Sequence, residues 1–157
     1  MTDDLSVRPY RPDDAAALSA LYETSVRRLG AADYSDAQIE AWASLTPSAQ
    51  ALDSRMGDGR TRLVAVTDDL AGFIDLEADG HIDLLYVAPA AAGLGVARTL
   101  LETAEALAPL TGAGRLYAEV SETARPVFER LGFSVVARRD FEVAGVPIHN
   151  WAVEKAL

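Results

Sequence analysis

Between positions 81 and 108 the sequence changes its period from that of a strand to that of a helix. HIDLLYV (81–87) has a short apolar strand pattern, VAPAAAGLG (87–95) carries two glycines, and Val96, Leu100, Leu101, Ala104, Leu107 and Ala108 then recur at helical spacing until Pro109. A strand therefore feeds a helix through a glycine turn. The start of that helix leaves backbone N–H groups without intrahelical acceptors, and their positive end attracts an anion that Gly93 and Gly95 allow to come close. The turn lacks the third glycine of a dinucleotide fingerprint and the Gly-Lys-Ser/Thr ending of a Walker loop, so neither nucleotide fold follows from it.

The flanking segments fill in the rest. A first strand is expected at 5–8, and Pro12 with Asp13 and Asp14 opens a helix running to 29. Ser35 and Gln38 have the spacing of a capping box for a second helix through Ile39 and Trp42. Residues 46–59 read as a loop with a short helical piece. Strand-like runs follow at 62–67, 71–77 and 81–87, joined by turns at Asp68-Asp69 and Asp79-Gly80. After a further strand at 115–120, Ala124, Val127, Phe128 and Leu131 share one helical face that Gly132 caps. Strands at 133–143 and 146–154 meet at Ala144-Gly145. This order predicts an α/β fold of the α+β kind, a mixed sheet with helices on both faces, and the length of 157 residues suits one domain.

Composition narrows the function. Fourteen basic against 24 acidic residues leave a net charge of −10, which repels nucleic acid and anionic membranes. There is no cysteine, and His81 and His149 are the only histidines, so no metal centre is implied. The acidic opening MTDDLSVRPYRPDD lacks the basic and apolar regions of a signal peptide, and no apolar run is long enough to cross a bilayer, so a cytoplasmic location is expected.

Taken together, LLYVAP, AAAGLGVARTLL and ARPVFERLGF resemble the GNAT superfamily of N-acetyltransferases over nearly the whole chain, and RPYRPDD, YSDAQIEAW and GVPIHNWAVEKAL resemble its YafP-like bacterial subgroup. The resemblance implies a mostly antiparallel sheet of six to seven strands with a splayed central pair. It also implies acetyl-CoA as donor, with the pantetheine arm along Leu85, Tyr86 and Val87. The pyrophosphate would then lie on Ala92, Gly93, Leu94, Gly95, Val96 and Ala97. Two departures stand out: Ala90 replaces the usual Gln or Arg of the loop, and Phe128 replaces the tyrosine that protonates the departing thiolate in many members. Arg98 is a candidate for the missing loop charge, against its reading as a solvated helix residue, and Phe128 for packing near the thioether.

Acetyl transfer to an amine needs a polarised thioester carbonyl, a base and a proton for the thiolate. The resemblance assigns the carbonyl to a backbone N–H near Val87. Strict alternation along the strand puts His81, Asp83, Leu85 and Val87 on one face, which makes His81 and Asp83 base candidates, with Glu119 behind them. Tyr22, Tyr34, Tyr86, Tyr117, Ser121 and Thr123 are the hydroxyls that could replace the missing acid; solvent or the product ammonium are the alternatives. The acceptor pocket is expected at Tyr22, Tyr34, Gln38 and Trp42, with His149 nearby. A small-molecule amine is the expected acceptor, with a protein amine and a non-catalytic acyl-CoA sensor as alternatives. Pairing of the last strands with a second copy as a homodimer stays open.

Overall fold

The computed structural model describes residues 4–157; Met1, Thr2 and Asp3 of the acidic opening lie outside the described residues. Seven strands form one sheet: β1 (Ser6–Pro9), β2 (Thr61–Val66), β3 (Leu70–Leu76), β4 (His81–Val87), β5 (Arg115–Val120), β6 (Ser134–Val143) and β7 (Val146–Ala156). Their order in the sheet is β1-β2-β3-β4-β5-β7-β6, and every neighbouring pair is antiparallel except β4 and β5. Among the described residues the α-helices are α1 (Ala15–Leu29), α2 (Asp36–Ala43), α3 (Ala49–Arg55), α4 (Val96–Leu107) and α5 (Arg125–Arg130).

Local signals account for most of these boundaries. The capping box forms: Ser35 Oγ accepts from the Gln38 N–H at 3.2 Å and Gln38 Oε1 accepts from the Ser35 N–H at 2.9 Å. Ser48 caps the short helix inside the 46–59 loop by accepting from the Ala51 N–H. One core lies between the sheet and α4 with α5, where Val96, Leu100, Leu101, Ala104 and Phe128 meet Ile74, Ile82, Leu116 and Ala118. A second lies on the opposite face, where Leu18, Tyr22 and Val26 of α1 and Leu52 of α3 cover Val64, Phe73 and Leu84. Among the described residues no helix is long and apolar enough to cross a membrane.

Two details of the centre position the site. β4 and β5 pair only at His81 with Tyr117 and Ile82 with Ala118, after which the strands part. The register between β3 and β4 slips beside Asp83, since Asp75 pairs with Leu84 but Leu76 with Ile82. Ile82 therefore faces the α4 core while Leu84 faces α1, and the strict alternation expected along β4 breaks at Asp83.

The strand pairing starts at a tight point. Gly80 has φ +98°, its carbonyl accepts from the Tyr117 N–H, and an added Cβ would lie 1.9 Å from the Arg115 carbonyl oxygen. Gly80→Ala is expected to cost about 2–4 kcal/mol of unfolding free energy in a denaturant titration. A loss below ~1 kcal/mol would mean that the two backbones separate freely here.

Candidate functional site

The parting of β4 and β5 opens a cavity of about 640 Å³. It is lined by Ile82, Asp83, Leu85, Tyr86 and Val87 on one side, Ala118 to Ser121 on the other, the loop before α4 at one end and Tyr34, Trp42, Phe141 and His149 at the other. The backbone of β4 is exposed to this gap in a regular way. Because the Ala88 N–H donates to Ala71 O on β3, antiparallel alternation turns the N–H and C=O of Leu85 and Val87 away from β3 and toward the gap, and those of Tyr86 toward β3.

The loop leaves backbone donors free at the start of α4. Gly93 has φ +81° and Gly95 φ +80°, and a Cβ on either would meet nothing within 4 Å. The Ala92 N–H donates to Pro89 O and the Leu94 N–H to Ala91 O, while the helix begins its own bonding with Thr99 N–H to Gly95 O. The N–H groups of Gly93, Gly95, Val96, Ala97 and Arg98 therefore have no backbone acceptor among the described residues. Of the expected loop positions, Ala92 and Leu94 spend their donors locally, and the Leu94 side chain points away from the cavity, 55% exposed. Arg98 and Arg130 line the cavity and pair with no carboxylate among the described residues, which supplies positive charge despite Ala90.

The base candidates separate. His81 does not line the cavity; its Nδ1 lies 2.6 Å from Glu77 Oε1 and its Nε2 2.8 Å from Glu119 Oε1. Burial works against the imidazolium, but the two carboxylates outweigh it, and His81 titrates above its ordinary value. Asp83 lines the cavity, but the bulge brings its Oδ2 to 2.8 Å from Arg60 Nη1, which also bonds Asp75. Glu119 lines the cavity with only Oε1 engaged. The sequence ranks Glu119 third; the structure makes it the cavity-facing end of a Glu77–His81–Glu119 chain. Ligand atoms of Glu77, His81 and Asp83 do lie within 4.8 Å of one another, though Arg60 and the imidazole already partner their carboxylates.

The acceptor wall also differs from expectation. Tyr22 is buried against Tyr86, ring centroids 4.2 Å apart, in the core beneath α1, and Gln38 is spent on the capping box and on Pro147 O. Tyr34 and Trp42 do line the cavity, edge to face at 5.4 Å. The Tyr34 hydroxyl donates to His149 O and accepts from the Glu122 N–H, so it ties three segments together and has no proton to spare. Sequence signals could not find these partners, which lie 88 and 115 positions away. Among the other hydroxyls, Tyr117 is bonded to Asp79 and Thr123 donates to Asp33. Ser121 accepts from the Ala124 N–H, and burial pushes the Tyr86 hydroxyl well above the usual phenol range. Phe128 is buried edge to face on Phe133.

Comparison with known proteins gives a consistent result. The profile of the acetyltransferase (GNAT) domain matches residues 30–155. The chain is 28% identical over 149 residues, 95% of it and 94% of the relative, to an uncharacterized N-acetyltransferase, YafP, of Escherichia coli (strain K12). A crystal structure of a GCN5-related N-acetyltransferase from Rhodopseudomonas palustris superposes with a TM-score of 0.91 at 34% identity, covering 100% of this chain and 98% of that one. The paia N-acetyltransferase of Thermoplasma acidophilum, solved in complex with coenzyme A, shares the fold with a TM-score of 0.78 at 22% identity, over 98% of this chain and 99% of that one.

Proposed function

Because this chain belongs to the GNAT family of acetyltransferases, we propose that it moves the acetyl group of acetyl-CoA onto the amine of a small molecule in the cytoplasm, by direct attack of the amine on the thioester. The observation that carries this reading is the continuity of one cavity. Five unspent N–H groups at the α4 start, the free backbone edge of Leu85 and Val87, and an aromatic wall all open into it. These parts fit an anionic head, an amide-bearing arm and an acceptor, in that order.

Acetyl-CoA supplies the thioester. In our reading the N–H groups of Gly93, Gly95, Val96, Ala97 and Arg98 hold its pyrophosphate, and Leu85 and Val87 hold its arm through main-chain bonds that tolerate Ala90. The Val87 N–H polarises the carbonyl. Glu119 takes the proton from the incoming ammonium, with His81 and Glu77 as its outlet. Phe128 has no proton to give, and a Tyr86 phenol held well above its usual range keeps its own. In our reading the departing thiolate takes its proton from the nitrogen that has just been acylated.

The experiment follows CoA release over an amine panel. Acetyl-CoA binding that is tight, with no amine-dependent release across the panel, would favour the sensor reading instead. For the base, Glu119→Gln is expected to lower kcat by about 100-fold. The pH profile of kcat/KM should rise through an inflection above the ordinary imidazole value, because His81 must lose its proton before the chain can receive another. His81→Gln should remove that inflection, and an unaltered profile in both variants would exclude the chain as the proton acceptor.

A further inference from the structure

The acceptor end of the cavity holds a charge that the acetyl-donor reading leaves unused. In the β6–β7 hairpin Arg139 stands opposite Asn150, and Phe141 opposite Ile148. On the other side of β7, Glu119 stands opposite Ala152. Alternation along the three strands puts Glu119, Asn150, Arg139, Ile148 and Phe141 on one face of the sheet. Ile148 and Phe141 pack there against Tyr34, Ile39 and Trp42.

Arg139 and Asn150 both line the cavity. Arg139 Nη1 donates to Asn150 Oδ1 at 3.0 Å, and the guanidinium lies 5.5 Å from the Phe141 ring centroid. These neutral neighbours fix the group without cancelling its charge, and no carboxylate pairs with it among the described residues. Its neighbour Arg138, on the opposite face of β6, is paired with Asp140. Arg139 is exposed on the edge strand β6, so its guanidinium stands at the open side of the cavity wall, and in a chain of net charge −10 an unpaired cation there is a place for an anion. Arg98 and Arg130 sit beside the α4 loop, whereas Arg139 lies two strands beyond β5, ~10 Å across the sheet from Glu119.

Resting on the acetyl-transfer reading, we propose that Arg139 binds a carboxylate of the acceptor, so that the acceptor is a carboxylate-bearing amine with an apolar body, of amino-acid type. Glu119 receives the ammonium, Arg139 the carboxylate, and Trp42, Tyr34 and Phe141 flank the apolar part. The bulge at Asp83 contributes by giving that carboxylate to Arg60, which leaves Glu119, bonded to His81 through Oε1 alone, as the acid whose second oxygen is free to meet the amine.

The test uses matched acceptors with excess acetyl-CoA: L-phenylalanine beside phenethylamine, and L-leucine beside isopentylamine, followed by CoA release. The acid of each pair is expected to have a kcat/KM about tenfold or more above its decarboxylated partner. In Arg139→Gln that ratio should collapse, through the KM of the acids more than their kcat, and Arg139→Lys should restore part of it. A ratio that survives in Arg139→Gln, or a wild-type preference for the decarboxylated amines, overturns the proposal. Calorimetry on the CoA-loaded protein reads the same site without turnover, with N-acetyl-L-phenylalanine against N-acetylphenethylamine. A preference for the acid that Arg139→Gln abolishes supports the carboxylate subsite even where no acceptor reacts, and equal binding of the two overturns it even where acetyl transfer is found.

Discussion

Replacing Gly93 by glutamate is expected to weaken acetyl-CoA binding by at least about 100-fold without unfolding the protein. The side chain itself has room, since nothing lies within 4 Å of a Cβ at this position. The loss comes from charge. A carboxylate ~4 Å from a pyrophosphate oxygen costs about 4 kcal/mol at an effective dielectric near 20, and it also competes for the N–H groups that should hold the ligand. The backbone has a smaller effect of its own, because φ +81° suits glycine and costs other residues ~1–2 kcal/mol. Gly93→Asn separates the two, since asparagine tolerates this conformation and brings no charge. Calorimetry with acetyl-CoA should give a modest loss for Gly93→Asn and a large one for Gly93→Glu, with thermal midpoints close to each other. Equal affinities for the wild type and Gly93→Glu would remove the loop from the site.

Asp75→Asn is expected to be the most damaging change in the fold. Arg62 on β2 and Asp75 on β3 are cross-strand partners, both side chains fully buried. Their two bonds are 2.6 and 2.7 Å, and Arg62 Nη1 donates to Leu52 O beneath α3. Asp75 also accepts from Arg60, so one carboxylate serves two guanidinium groups. Removing its charge strands Arg62 in the core, at a cost of about 3–5 kcal/mol. For a chain of this size that lowers the melting midpoint by roughly 6–20 °C. The double variant Arg62→Met/Asp75→Leu removes both charges together and should recover much of the loss, as calorimetric or denaturant unfolding would register. A single-variant loss below ~1 kcal/mol would mean that water reaches the pair. The same carboxylate steadies Arg60 and through it Asp83, so Asp75→Asn should also disturb the cavity, a coupling with no counterpart in Gly93→Glu.

These two positions also mark the limits of what could be read before the fold was known. Gly93 and Gly95 were legible because their meaning is local: a strand pattern before them, a helix pattern after them, and a capping problem between. The Ser35–Gln38 box was legible for the same reason, as were the strands and the turn at Gly80. Arg62 and Asp75 were not, because a charged residue in a strand ordinarily faces solvent, and only the packing of α3 over β2 encloses this pair. The slip at Asp83 depends on the register of two strands, which alternation within one strand cannot reveal. Both Asp83 and Glu119 line the cavity, but Asp83 is held by Arg60, while Glu119 keeps one oxygen free. Tyr22 and Gln38 illustrate the converse. A tyrosine with a polar edge and a glutamine early in a helix look the same in sequence whether they face a ligand, a core or a cap.

The parted strands have a mechanical consequence. β1 to β4 and β5 to β7 are two ribbons joined in the sheet by two residue pairs; α4 lies mainly over β2 to β4 and reaches the second ribbon through the shared apolar core and the Lys155 ammonium of β7, which donates to Glu105 on α4 and to Leu131 O. The helix whose first N–H groups lack backbone acceptors is thus also tied to both ribbons. On the acetyl-transfer reading, a donor seated at that N-terminus would be held by the same helix that links the two sides of the cleft.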